Sequence, residues 1–321
     1  MLPAPPRART DQSKDPAMTD TSAYLLPAPR ALCAVFLLAV PWVALAADTH
    51  DAAGNRLESL IEQPGTAPPP ALEGGDPDMA QAVSPLYCTA DRAWCVRLIA
   101  SRNNPRPSLQ VQEFVPGEPE PRDRHVGYTG PERDGRFQVW PYLLRLAPGL
   151  GAPSAPTDPA QAAFENVVVG VIVERTSGYS GGGASSSTLL LETIYHTDEG
   201  AETSSVLSLP VAGQASIRAC YGEQDAALRK GACHDEYRFS ATLSLLPQGR
   251  GMPLLRYAST ATRFPAFASR SRDSLARGAL SDRDLRTARD PDCSFERTLR
   301  FDSGRYVAEP ALPDCSEFTE L

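Results

Sequence analysis

One serine of this chain stands in a spacing that can support nucleophilic chemistry. Residues 178–182 read Gly-Tyr-Ser-Gly-Gly, which satisfies the pattern G-x-S-x-G around Ser180. Glycines at these positions allow a sharp turn that exposes the serine hydroxyl. The hydroxyl also needs a base, usually histidine, and an acid that orients the base. His234 and Asp225 are the candidate partners, because a Cys220–Cys233 bond would hold Asp225 near His234.

The residues that follow Ser180 favour a loop between two strands over a nucleophile. A nucleophile elbow requires a strand, a turn and then a helix. The segment 181–187 contains three glycines and three serines, which disfavour a helix. Residues 178–182 also resemble the Gly-Asp-Ser-Gly-Gly box of trypsin-like serine proteases, but Tyr179 stands in place of the aspartate. We therefore expect no catalytic residues, and a Ser180 hydrolase remains an alternative.

The densest polar cluster of the chain is the segment 220–239, CYGEQDAALRKGACHDEYRF. Loops on rigid β scaffolds commonly carry binding residues. The candidate binding residues here are Tyr221, Glu223, Arg229, His234 and Asp235. The simpler interpretation, a solvated loop with structural ion pairs, is favoured for the segment taken alone, because runs of mixed charge are usually solvated faces.

Composition and charge restrict the function classes. The chain has 321 residues, of which 42% are hydrophobic, so it can build a core. Its formal net charge of −8 disfavours binding to a polyanion such as a nucleic acid. We therefore expect no nucleic-acid partner. The sequence contains no C-x-x-C pair and no Gly-Lys-Ser/Thr motif, and its four histidines lack metal spacing. These features predict neither a metal nor a cofactor.

The N-terminal region predicts export. Residues 30–47, RALCAVFLLAVPWVALAA, combine an arginine, a short apolar run and small residues before a cleavage point after Ala46. We expect a signal peptide over 1–46, with Met18 as a possible true start, and no membrane span after cleavage. The chain contains no Asn-x-Ser/Thr acceptor, which favours a bacterial envelope. The mature protein is expected to be secreted or periplasmic and monomeric.

Six cysteines remain after the predicted cleavage, and an even number in an exported chain predicts disulfides. They form three local couples with 6, 12 and 21 residues between partners. Spacing favours the pairs Cys88–Cys95, Cys220–Cys233 and Cys293–Cys315, each closing a hairpin or its loop.

The remaining pattern predicts an antiparallel all-β fold with disulfide-stapled hairpins. Residues 47–83 are rich in proline, glycine and acids, and predict a disordered leader before a single domain over 84–321. Apolar and polar residues alternate over 237–245, as in a half-buried strand, and 302–304 reads as a hairpin turn. About ten strands fit either a propeller of about five blades or a large two-sheet sandwich.

These features favour an exported, non-catalytic binding or envelope-associated protein of unknown ligand, recognising an unknown protein or envelope component. The candidate surface is the loop closed by Cys220 and Cys233, with the glycine-rich loop around Ser180 nearby. Besides the Ser180 hydrolase, a second alternative is an inhibitor of a secreted enzyme.

Overall fold

Antiparallel strands account for most of the regular structure, as the alternating sequence predicts. The computed structural model describes residues 49–67, 81–101, 104–127, 135–150, 163–197, 200–272 and 274–321. In chain order the strands are β1 (Thr49–His50), β2 (Arg56–Ser59), β3 (Ile61–Glu62), β4 (Gln81–Ala82), β5 (Tyr87–Cys88), β6 (Trp94–Ser101), β7 (Asn104–Glu113), β8 (Arg122–Val126), β9 (Arg136–Val139), β10 (Tyr142–Arg145), β11 (Val167–Tyr179), β12 (Gly182–Thr197), β13 (Gly200–Ile217), β14 (Asp235–Leu245), β15 (Leu255–Phe264), β16 (Ala288–Arg289), β17 (Glu296–Asp302) and β18 (Arg305–Glu309). Helix α1 (Glu223–Leu228) lies between β13 and β14, and α2 (Ser316–Thr319) follows β18.

The strands form two sheets. The 12-stranded sheet has the order β1-β2-β10-β11-β12-β13-β14-β15-β17-β18, with β9 paired to β11 and β16 to β15. The 6-stranded sheet has the order β3-β5-β6-β7-β8, with β4 paired to β6. A propeller consists of separate four-stranded blades. The described strands instead form two continuous sheets, so the propeller alternative is not indicated.

Strand β13 divides the larger sheet into two parts. Its pairing with β12 shifts register twice, between Ser187 and Thr188 and between Leu191 and Glu192 of β12. Its pairing with β14 covers only Ala212–Ile217. Bulges bend a strand, and a bent strand can pass from one layer to another. Accordingly β18 contacts β13, although β14, β15 and β17 lie between the two in the order of the sheet.

Two hydrophobic cores lie on opposite sides of β11 and β12. The first is enclosed by the larger sheet and contains Leu189, Leu207, Tyr257 and Leu299, among others. The second lies between the two sheets, where Val169, Val171 and Leu190 meet residues of β6 and β7 such as Leu98 and Val111. Because the first half of β11 is covered on both faces, residues 167–173 are an almost unbroken apolar run, whereas the second half of the strand is polar and largely exposed.

The C-terminal helix α2 covers the second half of β13. Phe318 is buried, and its ring meets that of Tyr237 edge-on at a centroid distance of 5.9 Å. A Cβ atom at Gly213 would collide with the carbonyl oxygen of Phe318. The absence of a side chain at Gly213 therefore allows this close approach. No helix in the described part of the chain is long and apolar enough to cross a membrane.

All three disulfides predicted from spacing are confirmed. Cys88 and Cys95 face each other across β5 and β6, with their Cα atoms 4.0 Å apart. Cys220–Cys233 closes the connection between β13 and β14, and Cys293–Cys315 joins the residues before β17 to the start of α2. Each bond restricts the unfolded chain and contributes about 2–4 kcal/mol.

The structure differs from the prediction of a disordered leader over 47–83. Residues 56–59 form β2, which pairs with β10, and Leu57 and Leu60 are buried. The reason is a polar turn that the alternating pattern does not reveal. Residues 68–80, and the predicted signal peptide over 1–46, lie outside the described residues.

The turn before β2 is built around the fully buried side chain of Asn55. Its Nδ2 donates to Asp51 Oδ2 at 2.7 Å and to the carbonyl oxygen of Gly251 at 2.8 Å. Its Oδ1 accepts from the backbone N–H of Ala147 at 2.8 Å. Asn55 thereby satisfies backbone groups of two distant loops, which secures the N-terminal strands to the sheet.

Replacing Asn55 with alanine tests this attachment. Asn55→Ala leaves the Ala147 N–H and the Gly251 carbonyl without their partner, so we expect the free energy of unfolding to fall by about 2–4 kcal/mol. Urea unfolding followed by circular dichroism, with disulfides intact, measures the change. The matched control is His50→Ala, which alters an exposed side chain of β1 and should leave stability unchanged. Equal stability of the two variants would contradict the role given to Asn55.

Candidate functional site

The glycine-rich loop is the tip of a β-hairpin. Strands β11 and β12 remain paired up to Tyr179 and Gly182, which leaves Ser180 and Gly181 as the turn. Gly181 has a φ of +101°, a conformation that favours glycine. A strand follows the turn where an elbow would have a helix, as predicted. The expected loop over the glycines and serines is much shorter than predicted, because residues 182–187 belong to β12.

The structure does not join the three alternative catalytic residues into a hydrogen-bonded triad. Ser180 is exposed at the hairpin tip, and His234 is half-buried just before β14. Asp225 lies in α1, where its Oδ2 accepts from the backbone N–H of Tyr221 at 3.1 Å. Among the described residues no hydrogen bond links Ser180, His234 and Asp225.

The hairpin tip lies beside the loop closed by Cys220 and Cys233. This loop, residues 218–235, is called the stapled loop below. A Cβ atom at Gly181 would lie 3.3 Å from the Cβ of Ala219 and 3.8 Å from the Oη of Tyr221. The proximity of the two segments follows from the sheet register, because the start of β12 pairs with the end of β13. The two segments therefore form one continuous surface at this end of the sheet.

A buried ion-pair network holds the base of the stapled loop. Asp235 is 0% exposed and accepts three side-chain hydrogen bonds. Arg218 Nη1 donates to its Oδ2 at 2.6 Å, and Arg229 Nη2 donates to its Oδ1 at 2.7 Å. The hydroxyl of Ser274 donates to Oδ2 at 2.5 Å. One carboxylate thus joins the end of β13, the stapled loop, the start of β14 and the segment around residue 274.

Two of the five candidate binding residues, Arg229 and Asp235, are therefore internal. Arg229 is only 2% exposed, and its Nε also donates to the carbonyl oxygen of Ala232 at 2.6 Å. This differs from the sequence-based expectation of a binding role, because both side chains face protein groups. The physical reason is that two guanidinium groups and a hydroxyl compensate the cost of burying the carboxylate.

The network also influences the neighbouring aromatic residue. Burial raises the pKa of the Tyr237 phenol to about 12, and the negative charge of Asp235 adds to the rise. The guanidinium of Arg218 acts in the opposite direction. The Tyr237 phenol therefore stays neutral throughout the physiological pH range.

The other candidate binding residues are accessible to differing degrees. Tyr221 is 79% exposed, the highest fraction among the exposed large hydrophobic side chains of the described residues. Glu223 is exposed at the start of α1, and His234 is half-buried. Of the five candidate binding residues, the stapled loop thus exposes one aromatic ring and one carboxylate to solvent beside the glycine hairpin.

Sequence reasoning missed the structural partners Arg218 and Ser274. One signal was available, because Arg218 and Asp235 stand two residues outside Cys220 and Cys233, respectively. Closing that disulfide brings the flanking residues together. Ser274 gave no such signal, since it lies 39 residues beyond Asp235. Within the described ranges, no group of three or more His, Cys, Asp and Glu residues could hold a metal ion.

Comparisons with known proteins give no family assignment. The sequence matches no protein-family model and no curated protein, and the fold matches no solved structure. Function is therefore inferred from the chemistry of the chain itself.

The Asp235 network predicts a large stability effect from a small change. Asp235→Asn keeps the shape of the side chain but leaves the Arg218 and Arg229 charges uncompensated at a buried site. We expect the free energy of unfolding to fall by about 3–5 kcal/mol, measured by urea unfolding.

The matched control is Asp282→Asn, which removes an exposed ion pair with Lys230. Exposed pairs contribute little, so no measurable change is expected. Similar losses in the two variants would show that Asp235 is not the centre of the network.

Proposed function

We propose that this protein is an exported, non-catalytic binding protein that recognises a protein or another envelope component through Tyr221. The observation that carries the proposal is a highly exposed aromatic side chain on a loop whose base is fixed. Cys220–Cys233 closes that loop, and the Asp235 network ties it to the sheet. Exposed aromatic anchors on rigid supports are typical of binding surfaces.

Rigidity of the support favours binding because little conformational freedom remains to be lost. A side chain on a mobile loop loses entropy when a partner orders the loop. Tyr221 follows a disulfide-bonded cysteine, and its backbone N–H is bonded to Asp225. The glycines of the adjacent hairpin tip present little side-chain bulk, which permits close approach of a partner to the ring.

Export and architecture complete the proposal. Three disulfides are consistent with an oxidising compartment, and residues 1–46 carry the features of a signal peptide. We place the mature protein outside the cytoplasm, in the bacterial periplasm or secreted, as a monomer. For the fold we favour a large two-sheet sandwich, supported by the core that the smaller sheet shares with β11 and β12.

An inhibitor of a secreted enzyme is a second candidate function. The observation that favours it is the same disulfide-closed loop with a protruding aromatic ring, a form that can enter the substrate cleft of an enzyme. The experiment below separates the two candidates by the identity of the partner.

Site-specific photo-crosslinking tests the proposed surface. A photoreactive phenylalanine analogue replaces Tyr221 in the exported protein, and cells are irradiated before envelope proteins are separated. The matched control places the same group at Phe114, which is 40% exposed and directly follows β7 of the smaller sheet. We expect one discrete adduct from position 221 and none from position 114, with the partner identified by mass spectrometry.

The outcomes of this experiment are distinct. An adduct with an enzyme, together with loss of its activity in the presence of the purified protein, would favour the inhibitor function. Absence of an adduct at position 221, or the same adducts at both positions, would contradict recognition through Tyr221.

Fluorophosphonate labelling tests the remaining alternative, a Ser180 hydrolase. Because no described base is hydrogen-bonded to Ser180, we expect no labelling of the purified wild-type protein. The control variant Ser180→Ala should behave identically. Labelling that disappears in Ser180→Ala would establish the hydrolase and overturn the non-catalytic proposal.

A further inference from the structure

An apolar groove lies between the first half of β13 and the hairpin of β17 and β18. The groove has a volume of about 510 Å³, and its apolar lining includes Leu207, Leu209, Leu299, Val307, Ala308 and Leu312. It is separate from the stapled loop, since Ile217 lies ten positions along the strand from Leu207, roughly 30 Å away. The groove therefore plays no part in the function proposed above.

The groove exists because two strand edges meet without pairing. Strand β14 pairs with β13 only from Ala212 onward, and β18 pairs only with β17 among the described strands. Pro210 follows the groove-lining part of β13, and its carbonyl oxygen accepts from the Tyr257 hydroxyl at 2.6 Å. The opening thus leads from solvent to the first hydrophobic core.

The groove carries a single positive charge in its lining. Arg305 is the only charged residue among the residues that line it. Arg305 is exposed, and it forms no ion pair or side-chain hydrogen bond with any residue of the described ranges. The remaining polar lining consists of Ser205, Ser208 and Tyr306, which are neutral. An apolar cleft with a few polar groups is the usual form of a small-molecule site, and 510 Å³ lies within the usual size range.

We propose that this groove binds a single-chain anionic amphiphile, a long-chain carboxylate taken up as a monomer. The alkyl chain lies against Val307, Ala308 and Leu312, the partly exposed apolar side chains of the groove, and loses contact with water. The carboxylate lies at the mouth, where the Arg305 guanidinium can donate two hydrogen bonds to its oxygens. An uncharged or cationic amphiphile gains the apolar contact but not the interaction with Arg305.

Isothermal titration calorimetry with sodium laurate, below its micelle-forming concentration, tests the proposal on the mature protein. We expect one laurate per chain. Decanoate, which is two methylenes shorter, should bind about 15-fold more weakly, or about fourfold for each methylene. Dodecyltrimethylammonium, of equal chain length but opposite charge, should bind more weakly than laurate.

Two variants locate the site. Arg305→Gln should weaken laurate about tenfold and leave the affinity for the uncharged dodecyl maltoside unchanged. Ala311→Trp places a large ring at an exposed position on the groove wall and should abolish binding of both. The matched controls are Arg238→Gln and Ala227→Trp, which alter exposed residues elsewhere and should bind laurate like the wild type. Circular dichroism establishes that each variant is folded.

Three results would overturn the proposal. The first is the absence of laurate binding to the wild-type protein, and the second is binding that neither groove variant alters. The third is association with vesicles of anionic phospholipid but not with monomeric laurate, which would indicate a membrane surface instead. None of these results bears on Tyr221, so failure here is distinguishable from failure of the proposed binding function.

Discussion

The pairing of strand β13 is the constraint on which both the stapled loop and the apolar groove depend. A buried backbone must satisfy its hydrogen bonds, yet β13 follows β12 along most of its 18 residues and β14 along only Ala212–Ile217. Where β14 accompanies it, the strand leads directly into the stapled loop. Where β14 is absent, the strand forms one wall of the apolar groove. The groove is thus a consequence of the incomplete pairing, whereas the stapled loop begins at the end of β13 that is paired on both sides.

Buried polar side chains fix the positions of loops, which have no strand partner, by hydrogen bonds. Asn55 connects the first turn to the loops around Ala147 and Gly251, and Asp235 connects the stapled loop to the segment around Ser274. Apolar packing alone would not orient these segments, because their backbones lack a ladder partner. Hydrogen bonds with defined directions fix them instead, at the cost of sensitivity to losing one partner.

The sequence contains enough information to predict the strands and the disulfides, but not the burial of Asn55 and Asp235. Alternation predicts β14 correctly, with Tyr237 buried and Arg238 exposed, and spacing alone predicts all three disulfides. The leader prediction was wrong for the described residues 49–67, because Asn55 reads as an ordinary turn residue. Charged residues such as Arg229 and Asp235 are normally exposed, so their burial depends on contacts that pattern analysis does not include. The groove depends on the approach of β18 to β13, about a hundred residues apart in sequence.

The fit of α2 against Gly213 has a practical consequence for attaching anything to the end of this chain. Phe318 lies over β13 with no intervening side chain, and Cys315 is covalently joined to Cys293. The final residues therefore leave the body of the protein from a fixed point. A fluorophore or affinity tag joined there would report the orientation of the larger sheet, with little independent motion.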